Sequence, residues 1–286
     1  MKNMNFLRDD DLTGELFNQL RDFIYSKTGI LFNENKAYLL KNRLKWRLEA
    51  CGCNSYKEYL NFLKYDFKGK QELPHLYDSV TTNETSFFRD MLQINAFYND
   101  VLPLVMKENE QSGRKEIKFW SAASSTGEEA YTAAMQMVHK GLLGKGWKIN
   151  VVGTDISSQV IDNARKGVYG KNAMRNTPRE YILKYFNNSG DVYEIKPEIK
   201  RLVRFTCANL FDSADMRKMR NFDIVFCRNV LIYFDLNSKK EVVSNLYDSL
   251  RPGGSLFIGY SESLHNISRS FKLKHYNRAL VYQKEA

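Results

Sequence analysis

The chain has 286 residues, 43% of them hydrophobic and 27% charged, with a formal net charge of +10 at pH 7. This length favours two domains, no apolar run approaches the roughly 20 residues of a membrane-spanning helix, and the polar start lacks the apolar core of a signal peptide. We therefore expect a soluble, cytoplasmic protein whose positive charge attracts an acidic partner.

The cysteines and histidines do not form a metal-binding pattern. Cys51, Cys53, Cys207 and Cys227 are badly spaced for a zinc ribbon, and without an export signal they are expected to be free thiols. The four histidines are scattered, and none belongs to a metal-binding motif. We therefore predict no metal site.

The amino-terminal part of the chain shows helical periodicity. Apolar residues recur at helical spacing in three stretches. These stretches are Leu16–Ile24, Tyr38–Leu48 and Tyr56–Tyr65. The pattern predicts a small helical domain over residues 1–73.

A linker is predicted at residues 74–85, because Pro74 and the polar stretch 79–83 interrupt the helical periodicity. Residues 86–286 then form the larger domain. That domain is predicted to begin with a helix from Phe87 to Met106.

Five basic residues fall within or just before the second predicted helix. They are Lys36, Lys41, Arg43, Lys45 and Arg47. Such a cluster is either a solvated helix face or a surface that attracts an acidic partner, and charge alone does not distinguish the two.

The front half of a nucleoside-binding α/β domain is predicted at residues 117–155. A strand at 117–120 leads into a turn of small residues, and a helix then begins at Glu128, with Ser125 to Glu128 reading as a capping box. The next strand ends near Asp155, where a doubly wound sheet binds ribose hydroxyls. Because the turn lacks the G-x-G-x-x-G fingerprint, a nucleoside without a pyrophosphate fits better.

An insertion follows the second strand. Residues 157–167 read as a helix capped by Ser157 and stopped by Gly167. A small antiparallel β subdomain is predicted at about 179–202. Buried strands after Phe222 and Leu250 and a final hairpin, Phe271–Tyr276 with Ala279–Lys284, complete the sheet of a class I methyltransferase.

Five sequence words, in this order, resemble the CheR-type chemoreceptor glutamate methyltransferases. They are TTNETSFFRD (81–90), FWSAASSTGEEAY (119–131), GTDIS (153–157), FCRNVLIYFD (226–235) and LRPGGSLFIGYSESL (250–264). The resemblance implies an α/β class I (Rossmann-like) S-adenosylmethionine-dependent methyltransferase with an inserted antiparallel β subdomain, preceded by a small all-α domain.

The resemblance also implies the activity. A family member transfers a methyl group from S-adenosylmethionine to glutamate carboxylates of methyl-accepting chemoreceptors, leaving S-adenosylhomocysteine. The expected partner is the cytoplasmic coiled coil of a chemoreceptor, which the basic residues Lys41, Arg43 and Arg47 could face. We expect no nucleic-acid partner, membrane contact only through the receptor, and a monomer.

Arg89 and Tyr233 are the candidate catalytic residues. A glutamate carboxylate is already ionised at pH 7, so methyl transfer needs alignment more than a general base. The planar guanidinium of Arg89 could hold the substrate carboxylate or the methionine carboxylate of the cofactor. The hydroxyl of Tyr233, beyond the end of a strand, could orient the nucleophile.

The remaining cofactor contacts are carried over from the resemblance. Asp155 would accept from the ribose and Glu129 would contact the cofactor, while Asn209 and Leu210 would border the adenine. Asn83, Thr85 and Arg89 would cover the cofactor. Cys227, Arg228 and Asn229 would line the crevice.

Two other functions remain open at this point. A nucleic-acid methyltransferase would suit the net charge, but neither an N/D-P-P-Y/W tetrapeptide nor a Pro-Cys nucleophile is present. A non-catalytic regulator that only binds S-adenosylmethionine would not need both Arg89 and Tyr233.

Overall fold

In the computed structural model, which describes Leu12, residues 14–276 and residues 279–285, the chain forms two units. These are Met1–Thr82 and Asn83–Ala286, so the division falls within residues 74–85, where the sequence predicts a linker. Residues 1–11 of the predicted helical domain lie outside the described residues.

The first unit contains helices packed around one apolar core. The helices are α1 (Gly14–Thr28), α2 (Ala37–Cys51), α3 (Tyr56–Tyr65) and α4 (Gly69–Val80), with a 3-10 turn at Glu34–Lys36. On α2 the inward residues Leu40, Leu44 and Leu48 are fully buried at intervals of four. The helix ends at Gly52, whose left-handed backbone caps it.

The linker prediction was wrong for residues 74–80, because α4 runs through Pro74 to Val80. A proline inside a helix loses one backbone hydrogen bond and strains the preceding turn. Tertiary packing outweighs that cost, since Leu76 and Val80 are buried in the core of the unit. The periodicity therefore continues past the residue at which the sequence suggested a stop.

A buried ion pair joins three of these helices. The guanidinium of Arg47 on α2 donates to both carboxylate oxygens of Glu72 on α4, at 2.7 and 2.6 Å. The hydroxyl of Tyr59 on α3 donates to the same carboxylate at 2.8 Å. Because the Glu72 side chain is only 5% exposed, its charge depends on these partners.

Two of the basic residues on α2 make contacts within the helical unit. Arg47 is bound to Glu72, and Arg43 donates to the carbonyl oxygen of Val80 and to the hydroxyl of Thr82. Both guanidinium groups therefore hold the helical unit together, which the predicted receptor-facing role did not foresee. Lys45 on the same helix is exposed.

Replacement of Arg47 by alanine is expected to lower the free energy of unfolding by about 3 kcal/mol, because Glu72 remains buried without its cation. Chemical denaturation of the full chain, followed by circular dichroism, measures the loss. Lys45→Ala on the same helix is the matched control and should change stability by less than about 0.5 kcal/mol. Equal effects of the two substitutions would contradict the structural role of Arg47.

The same network predicts a dependence on pH. Although burial raises the pKa of Glu72, hydrogen bonds from Arg47 and Tyr59 more than compensate and hold it below its ordinary value. A depressed pKa contributes stability above the unfolded-state pKa, about 4.3, and that contribution disappears as pH falls through the folded-state pKa. The stability difference between wild type and Glu72→Gln should therefore shrink below about pH 4.

The second unit alternates strands and helices. Its strands are β1 (Glu116–Ala122), β2 (Lys148–Asp155), β3 (Val168–Gly170), β4 (Phe186–Ser189), β5 (Val192–Ile195), β6 (Val203–Cys207), β7 (Phe222–Cys227), β8 (Leu250–Ile258), β9 (Phe271–Tyr276) and β10 (Ala279–Lys284). Its α-helices are α5 (Met91–Ala96), α6 (Leu102–Gln111), α7 (Glu128–His139), α8 (Ser158–Lys166), α9 (Arg179–Tyr185), α10 (Pro197–Lys200), α11 (Ser213–Met216) and α12 (Leu236–Ser249). A π-helical segment, Phe97–Val101, joins α5 to α6.

Seven strands form the main sheet, in the order β6-β2-β1-β7-β8-β10-β9. The first five are parallel to one another, and β10 and β9 close the sheet as the predicted antiparallel hairpin. Alternate residues enter opposite cores: Phe119 packs on one face and Trp120 on the other. Burial on both faces explains the apolar runs of these strands.

The predicted antiparallel subdomain is present as a second sheet, in the order β3-β5-β4. Its strand β3 lies at Val168–Gly170, before the predicted boundary of about 179, because that strand directly follows the glycine that ends α8. Three residues are too few for a strand pattern to be recognised in the sequence. Among the described residues, no helix has both the length and the apolar character needed to cross a membrane.

Candidate active site

The candidate site lies where the parallel strands of the main sheet end. From β1 the chain adds β2 and β6 on one side of the sheet, and β7 and β8 then follow on the other side. Ligands of open α/β sheets bind outside the carboxyl ends of the strands where the order switches sides in this way, here between β1 and β7. Register pairs Asp155 with Cys207 and Cys227 with Ile258, so the strand ends meet at one edge. The polar residues that follow them are thereby brought together.

The turn after β1 has an unusual backbone. Ala123 and Ser125 have φ values of 59° and 49°, and Gly127 has 94°. Side chains other than glycine and asparagine rarely adopt this region, so surrounding contacts must stabilise it. The amide of Ser124 donates to the carbonyl oxygen of Thr154 at 2.7 Å, which fixes the turn against β2.

Asp155 shapes this turn from the end of β2. One carboxylate oxygen accepts the amide of Ser125 at 2.9 Å, and the other accepts the amide of Ser157 at 3.0 Å. Asp155 is buried, with 6% of its surface exposed. A carboxylate oxygen can accept more than one donor, so these contacts are compatible with the expected ribose contact.

The predicted capping box was wrong. Helix α7 begins at Glu128 after Gly127, and no side chain caps it there. Glu128 accepts instead from the hydroxyl of Thr126 at 2.7 Å, and Ser125 donates to the carbonyl oxygen of Asn83 at 2.9 Å. The left-handed backbone of Ser125 belongs to the site turn and not to a helix cap.

Two glycines allow the sheet to approach this turn closely. A Cβ atom at Gly153 on β2 would lie 2.5 Å from the ring of Phe205, and one at Gly127 would lie 2.8 Å from the same ring. Phe205 on β6 therefore fills the space that side chains at both positions would need. The floor of the crevice is closely packed beneath the turn.

Glu129 lies at the switch point. Its carboxylate accepts the hydroxyl of Ser121 at 2.7 Å and the guanidinium of Arg228 at 3.0 Å. Burial raises the pKa of Glu129, while the positive charge of Arg228 opposes that shift. Glu129 thus joins the turn after β1 to the segment after β7.

Arg228 is the most densely bonded side chain of the site. Its guanidinium donates to the carboxylates of Asp90 at 2.7 Å and Glu129 at 3.0 Å, to the side-chain oxygen of Gln93 at 2.5 Å, and to the carbonyl oxygen of Arg89 at 2.8 Å. The side chain is 2% exposed. Its direct contacts are therefore with the protein fold around the crevice.

Arg89 lies in a turn, and the predicted helix from Phe87 was wrong at its start. Phe88 and Asp90 have φ values of 53° and 58°, and α5 begins only at Met91. Phe87 and Phe88 are buried in the core. The turn is tight because two aromatic rings enter the core while Arg89 stays at the surface between them and α5.

The Arg89 side chain is partly exposed beside the crevice. Its guanidinium donates to the carbonyl oxygen of Glu84 at 2.9 Å, which folds the segment from Asn83 back on itself. Its positive charge also opposes the rise that burial causes in the pKa of Glu129. Thr85, predicted to cover the cofactor, belongs to the same folded segment and is partly buried.

The residues after β6 also reach this edge. The side-chain oxygen of Asn209 accepts the amide of Phe211 at 3.0 Å, so this acceptor already serves the turn. Leu210 is 7% exposed and belongs to the apolar core on that face. The same oxygen has a second lone pair, so this contact is compatible with the expected place of Asn209 beside the adenine.

The segment after β7 carries Cys227, Asn229 and Tyr233. Cys227 is fully buried, and burial raises the pKa of its thiol well above the usual range. Tyr233 is partly exposed at the end of the 3-10 turn Leu231–Tyr233. Asn229 has a φ of 60°, a value that asparagine tolerates better than most residues.

Glu262 is a site residue that the sequence analysis missed. Its carboxylate accepts the backbone amides of Asn229, Ile232 and Gly259. It belongs to the word LRPGGSLFIGYSESL, but nothing in that pattern indicates which strand end it contacts. Only the neighbouring positions of β7 and β8 in the sheet bring it beneath the Tyr233 segment.

Two buried polar atoms fit a ligand in this crevice. The side-chain oxygens of Ser124 and Asn229 are buried and have no hydrogen-bond partner among the described residues. A buried polar atom without a partner is costly, and a ligand donor would remove that cost. A nucleoside with an amino-acid moiety carries several such donors.

The structure brings together most of the predicted site residues. Those after β1, β2, β6 and β7 share one edge of the sheet, and the segment from Asn83 to Asp90 contacts them through Ser125 and Arg228. Lys41, Arg43 and Arg47 belong to the other unit. Among the described residues, no cluster of histidine, cysteine or acidic side chains has a metal-binding arrangement.

Comparison with known families matches both units. The family described as "CheR methyltransferase, SAM binding domain" matches residues 83–280, and "CheR methyltransferase, all-alpha domain" matches residues 15–81. Chemotaxis protein methyltransferase 2 of Vibrio cholerae is 33% identical over 274 residues, covering 96% of this chain and 94% of that protein.

Two further similar proteins show the extent of the match. A chemotaxis protein methyltransferase of Pseudomonas putida is 35% identical, and the match covers 95% of this chain and 98% of that protein. Among solved structures, the magnesium protoporphyrin IX methyltransferase of Synechocystis with bound SAM is 13% identical, covers 79% of this chain and 94% of its own, and has a TM-score of 0.36.

Replacement of Gly153 by alanine is expected to destabilise the second unit by about 1–3 kcal/mol, because the added methyl group overlaps the ring of Phe205. Thermal denaturation of the full chain measures this. Gly144→Ala is the matched control, since a Cβ atom there meets nothing within 4 Å. If both variants kept wild-type stability, the tight floor of the crevice would be refuted.

Proposed function

This chain belongs to the CheR methyltransferase family, and we propose that it esterifies glutamate side chains on the cytoplasmic coiled coil of a chemoreceptor. It is an S-adenosylmethionine-dependent methyltransferase. When bound, S-adenosylmethionine supplies the methyl group: a carboxylate oxygen of the substrate forms a C–O bond as the C–S bond breaks, and the electron pair of that bond remains on sulfur.

The residues of the crevice meet the needs of this reaction. An ionised glutamate requires no base, so the absence of a histidine among the residues described above is consistent with the chemistry. The protein must align the acceptor and keep water out of the site. Alignment of this kind can contribute roughly 7–11 kcal/mol in ideal cases.

On the acceptor side, Arg89 and Tyr233 are the proposed catalytic residues. The guanidinium of Arg89 is partly exposed at the rim, where it can bind a carboxylate through two parallel hydrogen bonds. The hydroxyl of Tyr233 can orient the attacking oxygen. Too strong a hold on the nucleophile would oppose transfer. Because Arg89 is partly exposed, solvent screens its charge, so it can align the carboxylate while holding it less strongly than a buried cation would.

On the cofactor side, Asp155 is the proposed ribose acceptor and Glu129 is a further proposed contact of the cofactor. The backbone at Cys227 and the side chain of Asn229 are proposed to border the methionine moiety. The buried side-chain oxygen of Asn229 supports this role, since it has no partner among the described residues. Asn209 and Leu210 remain the proposed neighbours of the adenine.

The observation that best supports the proposal is the contact between Arg228 and Arg89. The guanidinium of Arg228 donates to the carbonyl oxygen of Arg89 at 2.8 Å and binds Asp90 at 2.7 Å. The turn that carries one proposed catalytic residue is thereby fastened to the segment that carries the other, Tyr233. Such a fixed arrangement suits a reaction that depends on alignment.

Replacement of Arg89 by alanine is expected to lower the turnover of receptor methylation about 100-fold, because a charged contact to the reacting carboxylate is removed. The measurement is transfer of a labelled methyl group from S-adenosylmethionine to a chemoreceptor cytoplasmic fragment, with base-labile label counted as methyl ester. Arg217→Ala, at an exposed arginine of the same unit, is the control. Unchanged turnover in Arg89→Ala would contradict the assignment.

The acceptor surface is the second part of the proposal. Because Arg43 and Arg47 are bound within the helical unit, the exposed Lys45 on α2, together with the predicted Lys41, is proposed to attract the acidic receptor helix. Attraction between exposed charges is weak and screened by salt. The surface would therefore affect the encounter more than the chemistry.

The variant Lys41→Ala/Lys45→Ala is expected to raise the KM for the receptor about three-fold at low salt and less at high salt. Steady-state methylation at two ionic strengths provides the measurement. Lys239→Ala/Lys240→Ala on α12 is a control of equal charge change. A KM that does not respond, or responds equally in the control, would remove this surface from the proposal.

A further inference from the structure

We propose that Glu262 is a positioning residue for the reaction, which holds the segment Asn229–Tyr233 in its working shape through backbone contacts. The inference rests on the proposed function, because it assigns Tyr233 to the acceptor. Glu262 itself lies on the loop after β8 and is not among the site residues predicted from the sequence.

The geometry consists of one carboxylate and three amides. One oxygen of Glu262 accepts the amide of Asn229 at 2.9 Å and that of Gly259 at 2.5 Å. The other oxygen accepts the amide of Ile232 at 3.2 Å. Hydrogen bonds to an ionised acceptor are roughly twice as strong as those between neutral groups.

These amides belong to backbone that needs support. Asn229 has a left-handed φ of 60°, and the turn that follows is closed by the amide of Tyr233 donating to the carbonyl oxygen of Val230 at 3.1 Å. Amides in the first turn of a helix have no partner within it. Glu262 provides that partner for Ile232, next to Tyr233.

Glu262 is itself held firmly. Its amide donates to the carbonyl oxygen of Gly259 at 2.9 Å, which closes a turn at the end of β8. Two residues later Leu264 is 1% exposed, and its amide donates to the hydroxyl of Tyr282 on β10 at 3.1 Å. The carboxylate is therefore fixed to the sheet, and the segment it binds is fixed with it.

Gly259 allows the carboxylate of Glu262 to approach the amide of Asn229. A Cβ atom at this position would lie 2.6 Å from the carboxylate of Glu262 and 2.9 Å from the amide of Asn229. A methyl group would thus push the carboxylate of Glu262 away from Asn229 without removing any charged or catalytic side chain. Gly259→Ala and Glu262→Gln should for this reason have the same effect by different routes.

The first measurement is amide hydrogen exchange, which does not depend on activity. In wild type the amides of Asn229 and Ile232 should be protected, and in Glu262→Gln they should exchange at least about 10-fold faster, because an amide side chain offers only one acceptor atom. Ser261→Ala, at an exposed neighbour, should leave exchange unchanged. Equal protection in wild type and Glu262→Gln would overturn the proposal.

The second measurement tests positioning through Tyr233. Glu262→Gln and Gly259→Ala should each lower the turnover of receptor methylation about 10- to 100-fold, with a smaller change in affinity for S-adenosylhomocysteine measured by calorimetry. In a double-mutant cycle, Glu262→Gln should cost much less when Tyr233→Phe is already present. Independent, multiplicative losses would mean that Glu262 does not act through Tyr233.

Controls separate this inference from the proposed function. Glu262→Asp keeps the charge on a side chain one methylene shorter, so it should show an intermediate loss and provides a milder variant if Glu262→Gln folds poorly. Circular dichroism checks folding of each variant. If wild type forms no base-labile methyl ester, the proposed function fails, while hydrogen exchange still decides whether Glu262 anchors the segment.

Discussion

The candidate site depends first on one buried cation. Arg228 leaves the end of β7 and binds the turn at Arg89 and Asp90, the helix at Gln93, and the carboxylate of Glu129. A buried guanidinium is stable only when its donors are satisfied, and loss of one partner is costly. Because the donors of Arg228 must all be satisfied, its partners in the turn and in the crevice are held in one arrangement.

Around this cation, acidic side chains shape loops by accepting backbone amides. Asp155 accepts the amides of Ser125 and Ser157, and Glu262 accepts amides on both sides of the crevice edge between β7 and β8. Each carboxylate holds backbone with a left-handed residue nearby. Strained backbone persists when its surroundings over-determine it, and here the surroundings are these carboxylates.

In the helical unit, the number of basic residues overstates how many of them are available to attract an acidic partner. Arg47 binds the buried Glu72, and Arg43 binds backbone and a hydroxyl within the same unit. These cations stabilise packing, so they are less available for long-range attraction than an exposed lysine such as Lys45. A basic cluster in a sequence thus contains cations that stabilise the fold and cations that are exposed to solvent, and only their contacts in the structure distinguish the two.

The sequence by itself determined the α/β sheet, because apolar runs and glycine stops are local patterns. It also indicated the family, through five sequence words in a fixed order, and with it a set of candidate site residues. It failed at Pro74, where core packing outweighs a local helix breaker, and at the turn holding Arg89. Only the tertiary structure decided what Arg228 and Glu262 contact, since each binds residues 30 or more positions away. Such partners are set by strand order in the sheet, which no local pattern encodes.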